Sequence, residues 1–329
     1  MASNALVGLL VVTFAIFYYF AVKFDVHNII YNHQPGTCRE VEGPVHGSED
    51  VEIIQSEGIA FVSSGLLCML GTCPPGKMFL YDMKQTGEKL KAMELKIIGD
   101  KHDPVFDFDP KGPALLHKKS IKGKGLIRPN GIVAIGPDQF MHTNDGTAQN
   151  SVLNSLEVIF NWKAGSVWYY DGKDFHKLLD KKDTPNGIAY DAEKRKLFVT
   201  IIGDEMLDVY EFTEDRLKAT EVSRIPVYSG CDNLFLDKDG SLYSGCHPIM
   251  HQLVRHLGDC NNKEAKAPSQ ILRIKFDDSY QNSIITEVYS NDGSVIPAAS
   301  GAAVYRDKLL IGSVCRNLVQ CDIAHPSVL

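Results

Sequence analysis

The sequence has 329 residues, which is enough for one large β domain or two domains of average size. Hydrophobic residues make up 44% and charged residues 23%, a balance typical of a globular protein with a packed core. The formal net charge is −7 and the chain has no long basic run, which excludes a typical nucleic-acid-binding surface.

An uncharged apolar stretch lies near the N-terminus, at residues 5–22 (ALVGLLVVTFAIFYYFAV). As a helix it would be about 27 Å long, close to the thickness of the hydrocarbon core of a bilayer. A cleaved signal peptide usually has a shorter apolar region and a small-x-small cleavage site. The sequence favours an uncleaved membrane anchor at residues 1–24 over a cleaved signal peptide. Either one directs residues 25–329 into the secretory pathway, as an anchored lumenal or extracellular domain or as a secreted one.

Strand patterns dominate the rest of the chain. β-branched and aromatic runs bounded by turn residues predict strands at 57–65, 77–83, 165–172, 195–203 and 307–315. One short amphipathic segment, 151–160, predicts a helix. We interpret it as a covering helix on the surface, with a lip that touches membrane or substrate as the alternative.

A repeat runs through these strands. Each unit has a turn, a pair of small or apolar residues, a second turn and a second apolar strand. The units begin near Gly58, Gly112, Gly131, Gly187, Asn233 and Gly301. Most spacings fit the four short strands of a propeller blade. The unit at Gly112, in the stretch FDPKGPALLHKKSI, has fewer than half the residues of a blade. The sequence therefore predicts an all-β, six-bladed propeller with one truncated blade.

Eight cysteines are consistent with an oxidising compartment. A bridge between Cys38 and Cys321 would join the two ends of the domain. Cys68 and Cys73 bracket a short loop and are candidates for a local bridge. Cys246 and Cys315 lie in apolar strand context, which favours free buried thiols.

Acidic and amide residues recur at a matching phase of the repeat: Glu49–Asp50, Asn144–Asp145, Asn186 and Asp232–Asn233. The innermost strands of a propeller converge on a central channel, where such side chains can meet. Oxygen ligands of this kind suit Ca²⁺ rather than zinc. Neighbouring residues of a strand point in opposite directions, so one ion could take Glu49 and Asn144 while a second takes Asp50 and Asp145.

Several motifs together resemble the paraoxonases: GSEDVEI, HTNDG, TPNGIAYD, CDNLFLD, GCHP at 245–248 and the terminal KLLIGSV. The resemblance runs from Cys38 to Cys321. It implies a six-bladed propeller with arylesterase and lactonase activity, two calcium ions in the central tunnel and a leader that stays uncleaved.

Carried over by position, the resemblance implies specific roles. The catalytic calcium would be held by Glu49, Asn144, Asn186, Asp232 and Asn233. The structural calcium would be held by Asp50, Asp145 and the backbone carbonyl of Pro113. Cys38 and Cys321 match the family's disulfide, Cys246 its free thiol, and His247 a histidine near the tunnel mouth.

The sequence departs from the family at the short unit. Lys111 replaces a family histidine, and a second histidine of the proposed dyad belongs to strands that this chain lacks. Lys111 would act as a base only if burial and a nearby ion lowered its pKa far below the usual value. An exposed lysine is the simpler interpretation, which leaves His247 as the other catalytic candidate. His117 and His142 lie nearby, and surface or packing roles are expected for them.

Two functions follow from the resemblance. The first is a calcium-dependent hydrolase of esters or lactones, in which the ion polarises the substrate carbonyl. The second is a membrane-anchored, non-catalytic propeller that assists a membrane protein, as in some invertebrate relatives. The missing strands also fit a splice variant or a gene-model error.

Overall fold

The computed structural model describes residues 2–65, 76–98, 114–262 and 264–324. Three α-helices are present in these ranges, α1 Ala2–Lys23, α2 Ser151–Ile159 and α3 Met250–Gly258, together with a short 3-10 helix at Ile202–Asp204. The strands are β1 Cys38–Glu42, β2 Val51–Ile54, β3 Ile59–Ser64, β4 Lys77–Asp82, β5 Leu90–Lys91, β6 Met93–Ile98, β7 Ala114–Leu116, β8 Pro129–Gly136, β9 Gln139–Asn144, β10 Gly165–Tyr170, β11 Phe175–Lys182, β12 Pro185–Asp191, β13 Lys196–Ile201, β14 Met206–Phe212, β15 Ala219–Pro226, β16 Gly230–Leu236, β17 Leu242–His247, β18 Ser269–Phe276, β19 Ser283–Asn291, β20 Ala299–Tyr305, β21 Lys308–Ser313 and β22 Leu318–Asp322.

The strands form a β-propeller. Three blades are four-stranded antiparallel meanders, made of β8–β11, β12–β15 and β16–β19. The first strands of successive blades pack side by side, β8 on β12, β12 on β16, β16 on β20, and β20 on β2. All five predicted strand runs and the helix at 151–160 are confirmed as β3, β4, β10, β13, β21 and α2.

The two ends of the propeller close on each other in one blade. Strand β1, near the N-terminus, pairs antiparallel with β22 in the sheet β20-β21-β22-β1-β5. Cys38 lies directly opposite Cys321 in this register, and the two form a disulfide across a sequence separation of 283. The predicted bridge between the chain ends is confirmed, and its physical role is to close the ring covalently.

The prediction of six blades is wrong, because the described residues form five sheets. The stretch between Gly112 and Gly131 is too short to build four strands. Its strand β7 adds instead to the preceding blade, where it pairs parallel with the edge strand β6. The short unit thus covers the edge of the preceding sheet, and no sixth sheet forms in the described ranges.

The core lies between the faces of adjacent blades. Each blade is sandwiched between two others, so central strands bury both faces and read as continuous apolar runs. Strand β13 shows this, since Leu197, Phe198, Val199 and Ile201 are all buried. Large aromatic side chains fill the spaces between sheets, for example Tyr81 and Tyr243, which are fully buried.

Helix α1 carries a segment, Leu6–Lys23, that is long and apolar enough to cross a membrane, with a mean hydropathy of 2.1 and no part buried against the domain. The residues that follow it dock on the propeller. The Lys23 ammonium donates to the Gly203 carbonyl at 3.4 Å, and the Asn28 amide donates to the Pro248 carbonyl at 3.0 Å. The Asp25 carboxylate accepts from the Met250 backbone N–H at 3.1 Å.

Candidate metal centre and active site

Backbone bulges bring polar side chains to one end of the central channel. The first strands of four blades change register at matching places, between Pro129 and Ile132, Pro185 and Ile188, Cys231 and Leu234, and Ala299 and Gly301. A bulge puts two residues opposite one and re-aims their side chains. The residues concerned include Asn186, Asp232 and Asn233, three of the predicted ligands.

Glycines in the repeat let these strands approach closely. A Cβ atom on Gly187 would lie 2.3 Å from the Asp232 carbonyl oxygen, and one on Gly131 would lie 2.4 Å from the Asn186 carbonyl oxygen. Both contacts are far too short for a side chain, so only glycine fits. The recurring glycine of the sequence repeat is therefore a packing requirement that draws the site residues of neighbouring blades together.

Glu49 and Asn233 form the centre of the cluster. The Asn233 side-chain amide donates to the Glu49 Oε1 atom at 3.0 Å and to the Glu49 backbone carbonyl at 2.9 Å. Ser300 Oγ donates to the same carbonyl at 2.6 Å. These contacts hold the Glu49 backbone against β16 and β20, and the Asn233 amide orients the Glu49 carboxylate.

Asp232 lies beside this pair and contacts His247 on the neighbouring strand. His247 Nε2 lies 3.1 Å from Asp232 Oδ2, and both residues are almost fully buried. The other carboxylate oxygen, Asp232 Oδ1, has no hydrogen-bond partner although it is buried. Asn186 Oδ1 is also buried and unpartnered.

The carboxyl groups of the cluster are held close together in a buried place, which favours their protonated forms. Burial, together with the charges of Asp232 and Asp50, raises the pKa of Glu49 from its usual value to about 8. Burial also raises the pKa of Asp50 to about 6, and the charge of Asp232 adds to this shift. Like charges in a buried place are destabilising unless a cation or protons neutralise them.

The oxygens of Glu49, Asn186, Asp232 and Asn233 therefore fit a hard cation such as Ca²⁺. They are carboxylate and amide oxygens, two of them are buried without a partner, and the charges of Asp232 and Asp50 raise the pKa of Glu49. A buried oxygen without a hydrogen bond is costly, and a bound cation would satisfy it.

Two predicted ligands are engaged elsewhere. The Asn144 side-chain oxygen accepts from the backbone N–H groups of Ile127 and Arg128, at 3.0 and 2.9 Å, which uses both of its lone pairs. Asp145 Oδ1 lies 2.9 Å from the Arg128 guanidinium as an ion pair, but it is buried and accepts no hydrogen bond. Asn144 would therefore have to exchange its hydrogen bonds to bind an ion, whereas Asp145 would have to give up only the ion pair.

A cavity of about 330 Å³ occupies the channel beside the cluster. It is lined by Asp50, which directly precedes β2, and by Asn233 of β16, together with apolar residues of β8 and β12, such as Ile132 and Ile188. Its lining is about equally polar and apolar, and its place beside the cluster makes it a candidate small-molecule site.

Lys111 and Pro113 lie outside the described residues, so their predicted roles stay predictions. The two other histidines do not contact the cluster. His142 is buried on β9, where its Nε2 atom lies 2.9 Å from the Gly125 carbonyl and its ring packs against Phe175. His117 contacts Ser120. Packing and surface roles fit both.

The prediction of free thiols at Cys246 and Cys315 is wrong. Cys246 forms a disulfide with Cys231, its direct partner in the β16–β17 register, and Cys315 forms one with Cys260. Apolar surroundings suit a disulfide as well as a thiol. The signal missed was that Cys231 and Cys246 are symmetric about a predictable hairpin turn. Cys68 and Cys73 lie outside the described residues.

Sequence reasoning also missed the contact between Asp232 and His247. Asp232 directly follows Cys231 in the sequence, and His247 directly follows Cys246. Because the two cysteines are opposite each other in the hairpin, its register would have indicated that Asp232 and His247 are close. Asn130 was missed as well. It occupies in β8 the bulge position that Asn186 occupies in β12, and its amide lies 3.4 Å from Asp145 Oδ2.

The fold is a β-propeller whose channel holds a cluster of carboxylate and amide side chains, and it was compared with known proteins. The Arylesterase family model matches residues 100–323. The chain is 30% identical to the serum paraoxonase/lactonase 3 of Oryctolagus cuniculus over 323 residues, which covers 88% of this chain and 89% of that protein. It is 24% identical to the Mechanosensory abnormality protein 6 of Caenorhabditis elegans, over 92% of this chain and 91% of that protein.

Among solved structures, a luciferin-regenerating enzyme matches with a TM-score of 0.55 at 11% identity, covering 87% of this chain and 95% of that one. At that identity the likeness concerns the fold alone. The chain belongs to the arylesterase family, which includes the paraoxonases.

Proposed function

We propose that this protein hydrolyses carboxylic esters or lactones and requires bound Ca²⁺. The observation that carries the proposal is the cluster of half-buried Glu49 with buried Asp232 and Asn233 beside a channel cavity, with unpartnered oxygens on Asp232 and Asn186. The names of the family and of its paraoxonase/lactonase relative support the reaction class.

In this proposal the ion is held by Glu49, Asn186, Asp232 and Asn233. When bound, Ca²⁺ supplies a Lewis acid for the substrate carbonyl and for the negative charge that develops as water attacks. The predicted second ion at Asp50, Asp145 and Pro113 remains a separate prediction.

The protein's own residues would organise the site. The Asn233 amide holds the Glu49 carboxylate, and His247 holds one oxygen of Asp232 so that the other faces the ion. We assign His247 a positioning role, because its ring is buried against Asp232. Lys111 remains a candidate base. Base catalysis contributes only about 10²–10⁴-fold, so substantial activity can survive the loss of the family histidines.

We further propose that α1 stays attached as a membrane anchor, with the propeller in the lumen or outside the cell. The contacts of Lys23, Asp25 and Asn28 with the propeller support this, because the residues just after the apolar segment are part of the folded domain.

The second candidate is an accessory protein for a membrane partner. Two observations favour it, namely the similarity to the Mechanosensory abnormality protein 6 and Lys111 in place of the family histidine. In that role calcium would stabilise the fold without chemistry.

Hydrolysis of phenyl acetate and of an aliphatic lactone by the full chain in detergent, with calcium and with chelator, distinguishes the two. We expect turnover with calcium, none with chelator, and a loss of at least about 100-fold in Asp232→Asn. Asp180→Asn, an exposed carboxylate paired with Lys177, is the matched control and should be unchanged. A folded, calcium-loaded chain without turnover on either substrate class would favour the accessory role.

A further inference from the structure

A second cluster of metal-binding side chains lies outside the channel. His256 at the end of α3, Cys260 just after it, and Cys315 after β21 place a ring nitrogen and two sulfur atoms within 4.8 Å of one another. All three residues are buried, with relative exposures of 1%, 4% and 2%. It is the one such group of histidine, cysteine or carboxylate side chains found in the described part of the chain.

The histidine of this cluster is oriented as a metal ligand would be. Its Nδ1 atom is hydrogen-bonded to the Ala265 backbone carbonyl, so in the neutral ring Nδ1 carries the proton. Nε2 then has a free lone pair, and it is buried without any hydrogen-bond partner. Metal-bound histidines typically donate their other ring N–H to a carbonyl or carboxylate in this way.

The two cysteines are joined as a disulfide, with a Cα–Cα distance of 5.6 Å. Zinc–sulfur bonds are about 2.3 Å long, so two thiolates on a tetrahedral ion lie about 3.8 Å apart. Rotation of the Cys260 and Cys315 side chains can move their sulfur atoms to that distance without a change in the Cα–Cα distance. The Arg316 side chain, next in sequence to Cys315, contributes a positive charge that also acts on His256 and would favour thiolates.

An open cavity of about 470 Å³ reaches this cluster, with His256 and Arg316 in its lining. It gives an ion a route from solvent and leaves room for a fourth ligand. Three protein ligands, two of them cysteines, are typical of zinc sites that keep one position for water.

We propose that His256, Cys260 and Cys315 bind one Zn²⁺ ion when the disulfide between the cysteines is reduced. A thiol or phosphine reductant supplies the two electrons that break the S–S bond and give two thiols. Zinc binding then releases their two protons and forms two Zn–S bonds. The disulfide and the zinc-bound form are alternative states of one site, separate from the calcium cluster.

The test uses the full chain in detergent, reduced with a water-soluble phosphine and kept in excess calcium so that oxygen sites stay filled. Co²⁺ serves as the spectroscopic probe, and Zn²⁺ is then added as competitor. We expect cobalt absorption with thiolate charge-transfer bands that zinc abolishes. His256→Gln should weaken binding by at least about 100-fold, since loss of an outer partner alone costs about 10–100-fold. The double variant Cys260→Ser/Cys315→Ser should give no such bands.

The matched control is the double variant Cys38→Ser/Cys321→Ser, which removes another disulfide but leaves this cluster intact. It should keep the cobalt signal. Because a variant can fail to fold, thiol alkylation of the unmodified chain gives a second readout. Zinc should protect Cys260 and Cys315 at least 10-fold more than Cys38 and Cys321. Equal alkylation with and without zinc, or a cobalt signal that persists at full strength in Cys260→Ser/Cys315→Ser, would overturn the proposal.

Discussion

His247 Nε2 lies 3.1 Å from Asp232 Oδ2 in the buried end of the channel, and this contact leaves Asp232 Oδ1 without a partner. The ring therefore fixes the orientation of a carboxylate whose second oxygen is available. A side chain that hydrogen-bonds to a metal ligand and orients it usually contributes about 10–100-fold to metal affinity.

Replacing the ring tests this relationship. His247→Phe removes the N–H donor, so we expect calcium affinity to fall by about 10–100-fold. His247→Gln keeps a donor and should recover part of the loss. Calcium titration calorimetry measures both. The control His176→Gln changes an exposed histidine paired with Asp171 and should leave affinity unchanged. Equal affinity in His247→Phe and in the unmodified chain would refute the positioning role.

The pKa of Glu49, raised to about 8 by burial and by the charges of Asp232 and Asp50, predicts a pH effect on the chelated protein. The unfolded chain ionises this group near its usual value of 4.5, whereas the folded chain keeps the proton to about pH 8. The unfolded state therefore binds fewer protons in this interval, and the free energy of unfolding falls as the pH rises. Asp50 adds to the decrease up to about pH 6.

Urea unfolding between about pH 5 and about pH 8 should show this loss, with a slope of at most roughly 1.4 kcal/mol per pH unit for one such group. Glu49→Gln and saturating calcium should each reduce the dependence. A remainder should persist, because burial also raises the pKa of Glu52 and of Glu205 to about 7. Glu57→Gln, an exposed hairpin residue, serves as the control. A chelated protein whose stability rises over this interval would contradict the charge assignment.

The disulfide between Cys231 and Cys246 ties together the two strands that carry Asp232 and His247. In the double variant Cys231→Ser/Cys246→Ser we expect weaker calcium binding, because the bulge that presents Asp232 is no longer held at its base. The decrease should exceed that in Cys260→Ser/Cys315→Ser, whose disulfide is not in these strands. Calcium titration of both variants makes the comparison. Similar affinities would show that the sheet alone sets the geometry.

The disulfide between Cys38 and Cys321 closes the ring of blades. Its removal in Cys38→Ser/Cys321→Ser should lower the free energy of unfolding by about 2–5 kcal/mol. Strand β1 should then exchange its amide hydrogens faster than β13, which lies in a blade made of consecutive strands. Hydrogen exchange measures both strands, and uniform exchange across the propeller would count against a ring-closing role.

Much of the fold could be predicted because each blade is a local unit. Runs such as KLFVTI at 196–201 are apolar on both faces, since they lie between two blades, and their bounding turns are visible in the sequence. The number of blades could not be predicted in this way. The fate of Ala114–Leu116 depends on whether it joins an existing edge or starts a sheet, and that is decided by the exposed edge of β6.

The candidate site could be predicted in part for a similar reason. Asp232 and Asn186 share a phase of the repeat, and the structure places them at matching bulges of adjoining strands. Asn144 shares the acid-and-amide pattern but lies on a second strand, where it binds backbone N–H groups instead. Sequence shows which residues carry oxygen atoms. It does not show which of those atoms are already hydrogen-bonded.

The most direct test of the account is one calcium titration with two readouts on the same chelated sample. The initial rate of phenyl acetate hydrolysis and the thermal unfolding midpoint are followed as free calcium increases. We predict that both rise and reach half of their maximum at the same calcium concentration, and that Asp232→Asn abolishes the rise in rate. A midpoint that rises while the rate stays at the uncatalysed level would contradict the account and identify a calcium-stabilised scaffold without hydrolase activity.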